Sequence, residues 1–136
     1  MLPLEDEDIF SNFRGNPPAG AVNIEEFEED SGVRLPKDYI NFLRRSDGGE
    51  GFIGPNAYVI FWRLSELEEM NKAYQVGEYA PSLFIFGSDG GGEAFAFDAR
   101  TPEKPIVSVP FVGMELDLAR HMGATFNEFL AHLARS

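Results

Sequence analysis

Apolar side chains recur along this chain at helical spacing before residue 50, at strand spacing through its middle, and at helical spacing again near its end. Ile24 and Phe27 share one face behind a possible side-chain cap at Asn23 with Glu26 three positions on, and Ser31-Gly32 stops the run, which predicts a helix from residue 23. Tyr39, Ile40, Phe42 and Leu43 form a second helical stripe, with Pro36 at the first helical position and Asp47-Gly48-Gly49 as its end. From Gly51 to Leu64 the residues favour strand, most densely at Tyr58 to Trp62. Ser65 with Glu68 repeats the capping pattern and opens a helix carrying Leu67, Met70, Lys72 and Tyr74, which Gly77 ends. Leu83 to Phe86 and Glu93 to Asp98 predict a hairpin, Ile106 to Val109 a further strand closed by Pro110, and Thr125 with Glu128 caps a last helix bearing Phe126, Phe129, Leu130 and Leu133. Residues 1–22 hold an acidic run, an apolar cluster at Ile9, Phe10 and Phe13, and then Arg14 to Gly20, which reads as a short helix and a linker. The order predicts an α+β fold in a single domain, residues 23–136, behind a lead segment, 1–22.

Composition narrows the class. The 136 residues suffice for one core, which the 13 Phe, 4 Tyr and single Trp would fill. No apolar run reaches the length of a membrane span, and Glu5, Asp6, Glu7 and Asp8 have the opposite sign to a signal peptide's basic region, so a cytoplasmic protein without membrane contact is expected. The absence of cysteine excludes disulfides, a thiolate nucleophile and Cys-ligated metals. A net charge of −12 argues against nucleic acid and leaves a basic protein partner or simple solubility as its meaning.

The glycine turn Ser88-Asp89-Gly90-Gly91-Gly92-Glu93 has the look of a phosphate loop, but its flanking carboxylates repel phosphate and no Lys or Arg lies between Lys72 and Arg100. It also lacks the alternating Asp and Asn ligands of a calcium loop. His121 and His132 lack metal-ligand spacing, and Ser88 follows Phe86-Gly87 rather than the Gly-x that a nucleophile elbow needs. Asp89 and Asp98 form a carboxylate pair of a kind any acidic chain offers. No catalytic residue, metal site or cofactor is assigned, and the chain is not expected to be an enzyme. The residues offered as partner-binding are Asp47, Glu50, Trp62, Asp89, Gly90, Gly91, Gly92, Glu93 and Asp98: glycines admit a close backbone approach, and carboxylates receive Arg or Lys. The glycine turn, Asp47 and Trp62 have a structural reading beside this one. Gly91 is expected to need positive φ, so that Val there would damage the fold, Asp89 to hydrogen-bond its own turn, Asp47-Gly48-Gly49 to stop a helix, and Trp62 to pack in the core.

The series Ile24-x-x-Phe27-Glu28, Gly32-x-x-Leu35-Pro36-x-Asp38-Tyr39, Phe42-Leu43, Asp47-Gly48-Gly49, Asp89-Gly90-Gly91-Gly92, Phe97-Asp98, Pro105-Ile106 and Phe126-x-x-Phe129-Leu130 resembles the SUKH superfamily, in the branch of the fungal Smi/Knr cell-wall-synthesis regulators. The resemblance runs from about Ile24 to Leu133. It implies a central, mostly antiparallel sheet flanked by helices and a binding module rather than an enzyme. Bacterial members are commonly immunity proteins that neutralise a cognate toxin, often a nuclease, so a basic toxin domain is the partner it implies. The fungal regulators instead imply an intracellular regulatory or scaffold protein, and an enzyme of unknown type is a further alternative.

Overall fold

Strand pairing here follows chain order without a crossover. The computed structural model describes residues 7–136; the start of the acidic run, Glu5 and Asp6, lies outside them. Among the described residues seven strands form one antiparallel sheet in the order β1 (Asn12–Gly15), β2 (Gly49–Ile53), β3 (Ala57–Phe61), β4 (Leu83–Ser88), β5 (Glu93–Asp98), β6 (Ile106–Pro110) and β7 (Arg120–Gly123). The helices are α1 (Ala21–Ser31), α2 (Lys37–Leu43), α3 (Leu67–Ala73), α4 (Val76–Tyr79) and α5 (Phe126–Ala134). The α+β class and the antiparallel sheet flanked by helices are as the sequence implied.

Period-two alternation divides the core between the two sheet faces. On β5, Phe95 and Phe97 join the aromatic cluster, where α2 and α5 contribute Tyr39, Phe42, Phe126 and Phe129. Phe86 stacks on Phe97 at 4.5 Å, and Phe95 meets Phe129 edge-on at 4.9 Å. Ala94 and Ala96 point the other way into a smaller aliphatic cluster with Ile85, Val107, Val109 and, from α4, Val76. With both faces covered, β4 to β6 are buried almost throughout, whereas β2 and β3 keep one face more open.

Several local expectations hold. The β4–β5 hairpin forms as read, Gly32 ends α1 at φ 73°, and Thr125 Oγ1 accepts the Glu128 N–H at 3.1 Å. Others are corrected. The strand read as continuous from Gly51 to Leu64 is the β2–β3 hairpin, turning at Gly54 with φ 72°, where a side chain would strike the Ala134 backbone of α5 at 2.7 Å. The helix and linker read before residue 23 are a one-turn 3-10 helix at Glu7–Phe10 and β1, held because Phe13 packs on Phe42 and Phe61. α1 starts at Ala21, with Gly20 rather than Asn23 at its cap. Glu66, not Glu68, completes the turn after β3, accepting the Arg63 N–H at 2.9 Å. Gly77 lies inside α4, and the break is made by Gln75 in the left-handed region at φ 54°. β7, carrying the exposed polar residues Arg120 and His121, has no apolar alternation to announce it.

Candidate functional site

The glycine turn satisfies itself. Asp89 Oδ1 accepts the N–H groups of Gly91, Gly92 and Glu93 at 2.7, 3.1 and 3.1 Å, and Ser88 Oγ accepts that of Gly90 at 2.8 Å. One oxygen of the Asp89 carboxylate is thereby committed to the loop's own backbone. The residues that need positive φ are Gly90 at 78° and Gly92 at 137°. Gly91 is not among them, and a Cβ there would meet Asp89 Oδ1 at an ordinary 3.5 Å, so the expectation of damage from a side chain at Gly91 is corrected.

Asp98 lies at the opposite end of β5 from this turn and is buried. Arg100 engages it with Nε on Oδ1 at 2.9 Å, Nη2 on Oδ2 at 2.7 Å and its backbone N–H on Oδ1 at 3.0 Å. This carboxylate serves the β5–β6 connection, with Arg100 as its partner within the fold. Hydrogen bonds from the Arg100 side chain hold the Asp98 carboxyl below the usual carboxylate range. A depressed folded-state pKa stabilises the fold above the ordinary Asp pKa, and the contribution is lost as pH falls through the folded value. In urea unfolding from pH 7 down to pH 2, stability should therefore decline below about pH 4, and Asp98→Asn should flatten that decline; parallel curves for the two proteins would contradict the assignment.

Asp47 and Trp62 flank the turn that follows β3, which Asp47 holds through Leu64. The Asp47 carbonyl accepts Asn16 Nδ2 at 2.9 Å, its N–H reaches Pro17 O at 3.1 Å, and its Oδ1 accepts the Leu64 N–H at 2.8 Å. So clamped, it borders a cleft of about 390 Å³ with Glu26 and Asp30 of α1 and Glu68 of α3, around an apolar floor of Ala19, Phe27 and Leu64; no Lys or Arg lines it. On the far side of the same turn a second cleft, about 480 Å³, is bordered by Arg14, Glu50, Ile60, Trp62, Arg63 and Glu66. Trp62 is half-buried, packing against both core clusters while its edge reaches this cleft, so the core and interface readings each describe part of one side chain.

Glu50 connects the second cleft to the glycine turn. It accepts the Tyr58 hydroxyl, which pushes that phenol above its usual pKa. The Tyr58 ring lies edge-on to the exposed Phe52 at 5.4 Å, and a Cβ on Gly90 would meet it at 3.0 Å. Glu50, Phe52, Tyr58 and Ile60 thus alternate onto the more open face of β2 and β3, with Gly90 at its border. Glu50 and Trp62 line one cleft, Gly90 meets Tyr58 and Ile60 on the adjoining face with Gly91, Gly92 and Glu93 continuing the turn beyond it, Asp47 lines the other cleft, and Asp98 lines neither.

From the sequence Glu26 and Glu68 read only as capping residues and Tyr58 only as a strand residue, and neither these nor Asp30 and Phe52 read as site residues, although Glu26 and Asp30 are spaced to share one helix face. The acidity of α1 works against the helix that carries it. Glu25 and Glu29, and Glu26 and Asp30, are like charges four apart, and no basic residue occupies the last turn, each feature costing about a few tenths of a kcal/mol. Among the described residues no three His, Asp or Glu side chains are grouped to hold a metal ion, and no helix is long and apolar enough to cross a membrane. His121 and His132 are both exposed, on β7 and in the last turn of α5.

Residues 18–132 of the chain match the SMI1 / KNR4 family (SUKH-1). No curated protein matches it.

Proposed function

This chain belongs to the SMI1 / KNR4 family (SUKH-1), and from that premise we propose that it is a protein-binding module that neutralises a basic toxin, of the nuclease class, by occluding its surface. The contact surface is the pair of clefts around the turn after β3 with the adjoining open face of β2 and β3. The observation that carries this reading is the cleft lined by Glu26, Asp30, Asp47 and Glu68 without a Lys or Arg, two of these carboxylates standing on α1, a helix whose acid content weakens it. A nuclease must be cationic to hold phosphate, so a dense carboxylate rim raises the encounter rate and aligns the two surfaces. Exposed Phe52 and the edge of Trp62 supply the apolar anchors that such an interface needs at its centre. No step of chemistry is involved.

The test is affinity capture of the tagged chain from lysate of its source cells at low and high salt, followed by association kinetics with the protein recovered. One basic protein, encoded beside this chain and released at high salt, is expected. Combined Glu26→Lys and Glu68→Lys should slow its association at least about tenfold at low salt, while thermal unfolding stays close to wild type because both side chains are exposed. Several weak partners indifferent to salt would favour the regulator or scaffold reading. An unchanged association rate in the double variant would remove the cleft from the interface.

A further inference from the structure

α3 and α4 meet the chain after β6 at a cleft of about 480 Å³, lined by Tyr74, Tyr79, Phe111, Gly113, Met114 and Glu115. It shares no lining residue with the two clefts described above. The Tyr74 and Phe111 rings are 4.5 Å apart at 37°, Trp62 stands 6.5 Å behind Phe111, and Met114 is buried. Yet Tyr74 and Tyr79 are 40% and 52% exposed, and the neighbouring Val112 is 92% exposed, so these large side chains are not fully used by the fold. Their approach depends on Gln75, whose left-handed backbone at φ 54° breaks the helical run so that the end of α3 and the end of α4 border one cavity. A side chain other than glycine or asparagine adopts that conformation at a cost, which the surrounding structure must hold in place.

Glu115 gives this aromatic cleft a charge. It is exposed and makes no ion pair among the described residues, and neither Lys nor Arg lines the cavity. A wholly apolar occupant would cover this carboxylate without a partner, whereas a cation gains both from the ring faces and from the carboxylate. Of the two cationic side chains, the planar, weakly hydrated guanidinium stacks on rings and offers a fork of N–H donors to a carboxylate.

We propose that this cleft receives one arginine side chain of a protein partner, its guanidinium stacked on the tyrosine rings and hydrogen-bonded to Glu115. Only the source of the arginine rests on the reading of the chain as a protein-binding module; the receptacle itself is tested without a partner, so its failure and the failure of that reading are separate results. The full chain is titrated with N-acetyl-arginine methylamide at constant ionic strength and followed by NMR of the ring protons, with the neutral citrulline isostere as control. Saturable shifts at Tyr74, Tyr79 and Phe111 are expected with arginine and not with citrulline. Tyr79→Ala and Glu115→Gln should each weaken binding about 2- to 5-fold with thermal unfolding unchanged. An equal response to both compounds, saturable shifts only around Asp47 and α1, or no saturable shift would overturn the proposal. Concentration-dependent self-association abolished by Tyr79→Ala would also overturn it, by showing that a second copy covers the cleft.

Discussion

Phe86→Ala should lower the free energy of unfolding by about 3–5 kcal/mol, the range seen when a buried aromatic side chain is truncated. Phe86 is fully buried where the sheet meets α2 and α5. Its ring lies 4.5 Å from Phe97, 5.4 Å from Tyr39, 5.8 Å from Phe126 and Phe129, and 6.0 Å from Phe61. Those neighbours come from two other strands and two helices and are themselves bulky rings in an interlocked set, so they cannot collapse far into the space left behind. Because domains of this kind are stable by only about 5–15 kcal/mol, one substitution should remove a large share of the total. Urea unfolding of the variant measures it, and a loss below about 1 kcal/mol would show that the aromatic cluster is loosely packed.

Asn71→Ala should cost about 2–4 kcal/mol, more than the surroundings of one half-buried polar side chain suggest. β3 pairs with β4 only through Ile60 and Phe61 against Ser88 and Gly87, so Ile85, paired with Ala96 of β5 on one side, has no strand on its β3 side. Asn71 of α3 takes that place: its Oδ1 accepts the Ile85 N–H at 2.9 Å, and its Nδ2 donates to Ile85 O at 2.9 Å and to Leu67 O at 2.8 Å. Truncation leaves a backbone donor and acceptor of a buried residue without partners, and each such group costs about 1–3 kcal/mol. Hydrogen exchange gives the specific readout. The Ile85 amide should lose more protection than the Leu83 amide, whereas equal loss at both would mean that the variant merely lowers global stability.

Local signals carried the elements whose periodicity or caps are self-contained. The α5 stripe of Phe126, Phe129, Leu130 and Leu133, the Thr125 cap, the Gly32 stop and the β4–β5 hairpin all appear where the residues place them. Failures fall where a distant partner decides. Arg120 to Gly123 is a strand because β6 presents an edge to it, and Asn12 to Gly15 because Phe13 finds Phe42 and Phe61. At the candidate site, Asp89 and Asp98 look equivalent in the sequence, but the first turns its carboxylate on three backbone N–H groups and the second on Arg100.

By itself, then, the sequence determined the α+β class, the family pattern from Ile24 to Leu133, the acidity and the lack of any cysteine chemistry, because each of these depends on residue type and near spacing alone. Only the tertiary structure decided which carboxylates remain available. It committed Asp98 to an ion pair, set Asp47 beside Glu26, Asp30 and Glu68, and brought Tyr74 and Tyr79 to the same cavity as Phe111 and Glu115. A carboxylate's freedom depends on which hydrogen-bond donors fold up against it, and an aromatic cleft on rings from separate segments converging; neither quantity exists until the chain has closed on itself.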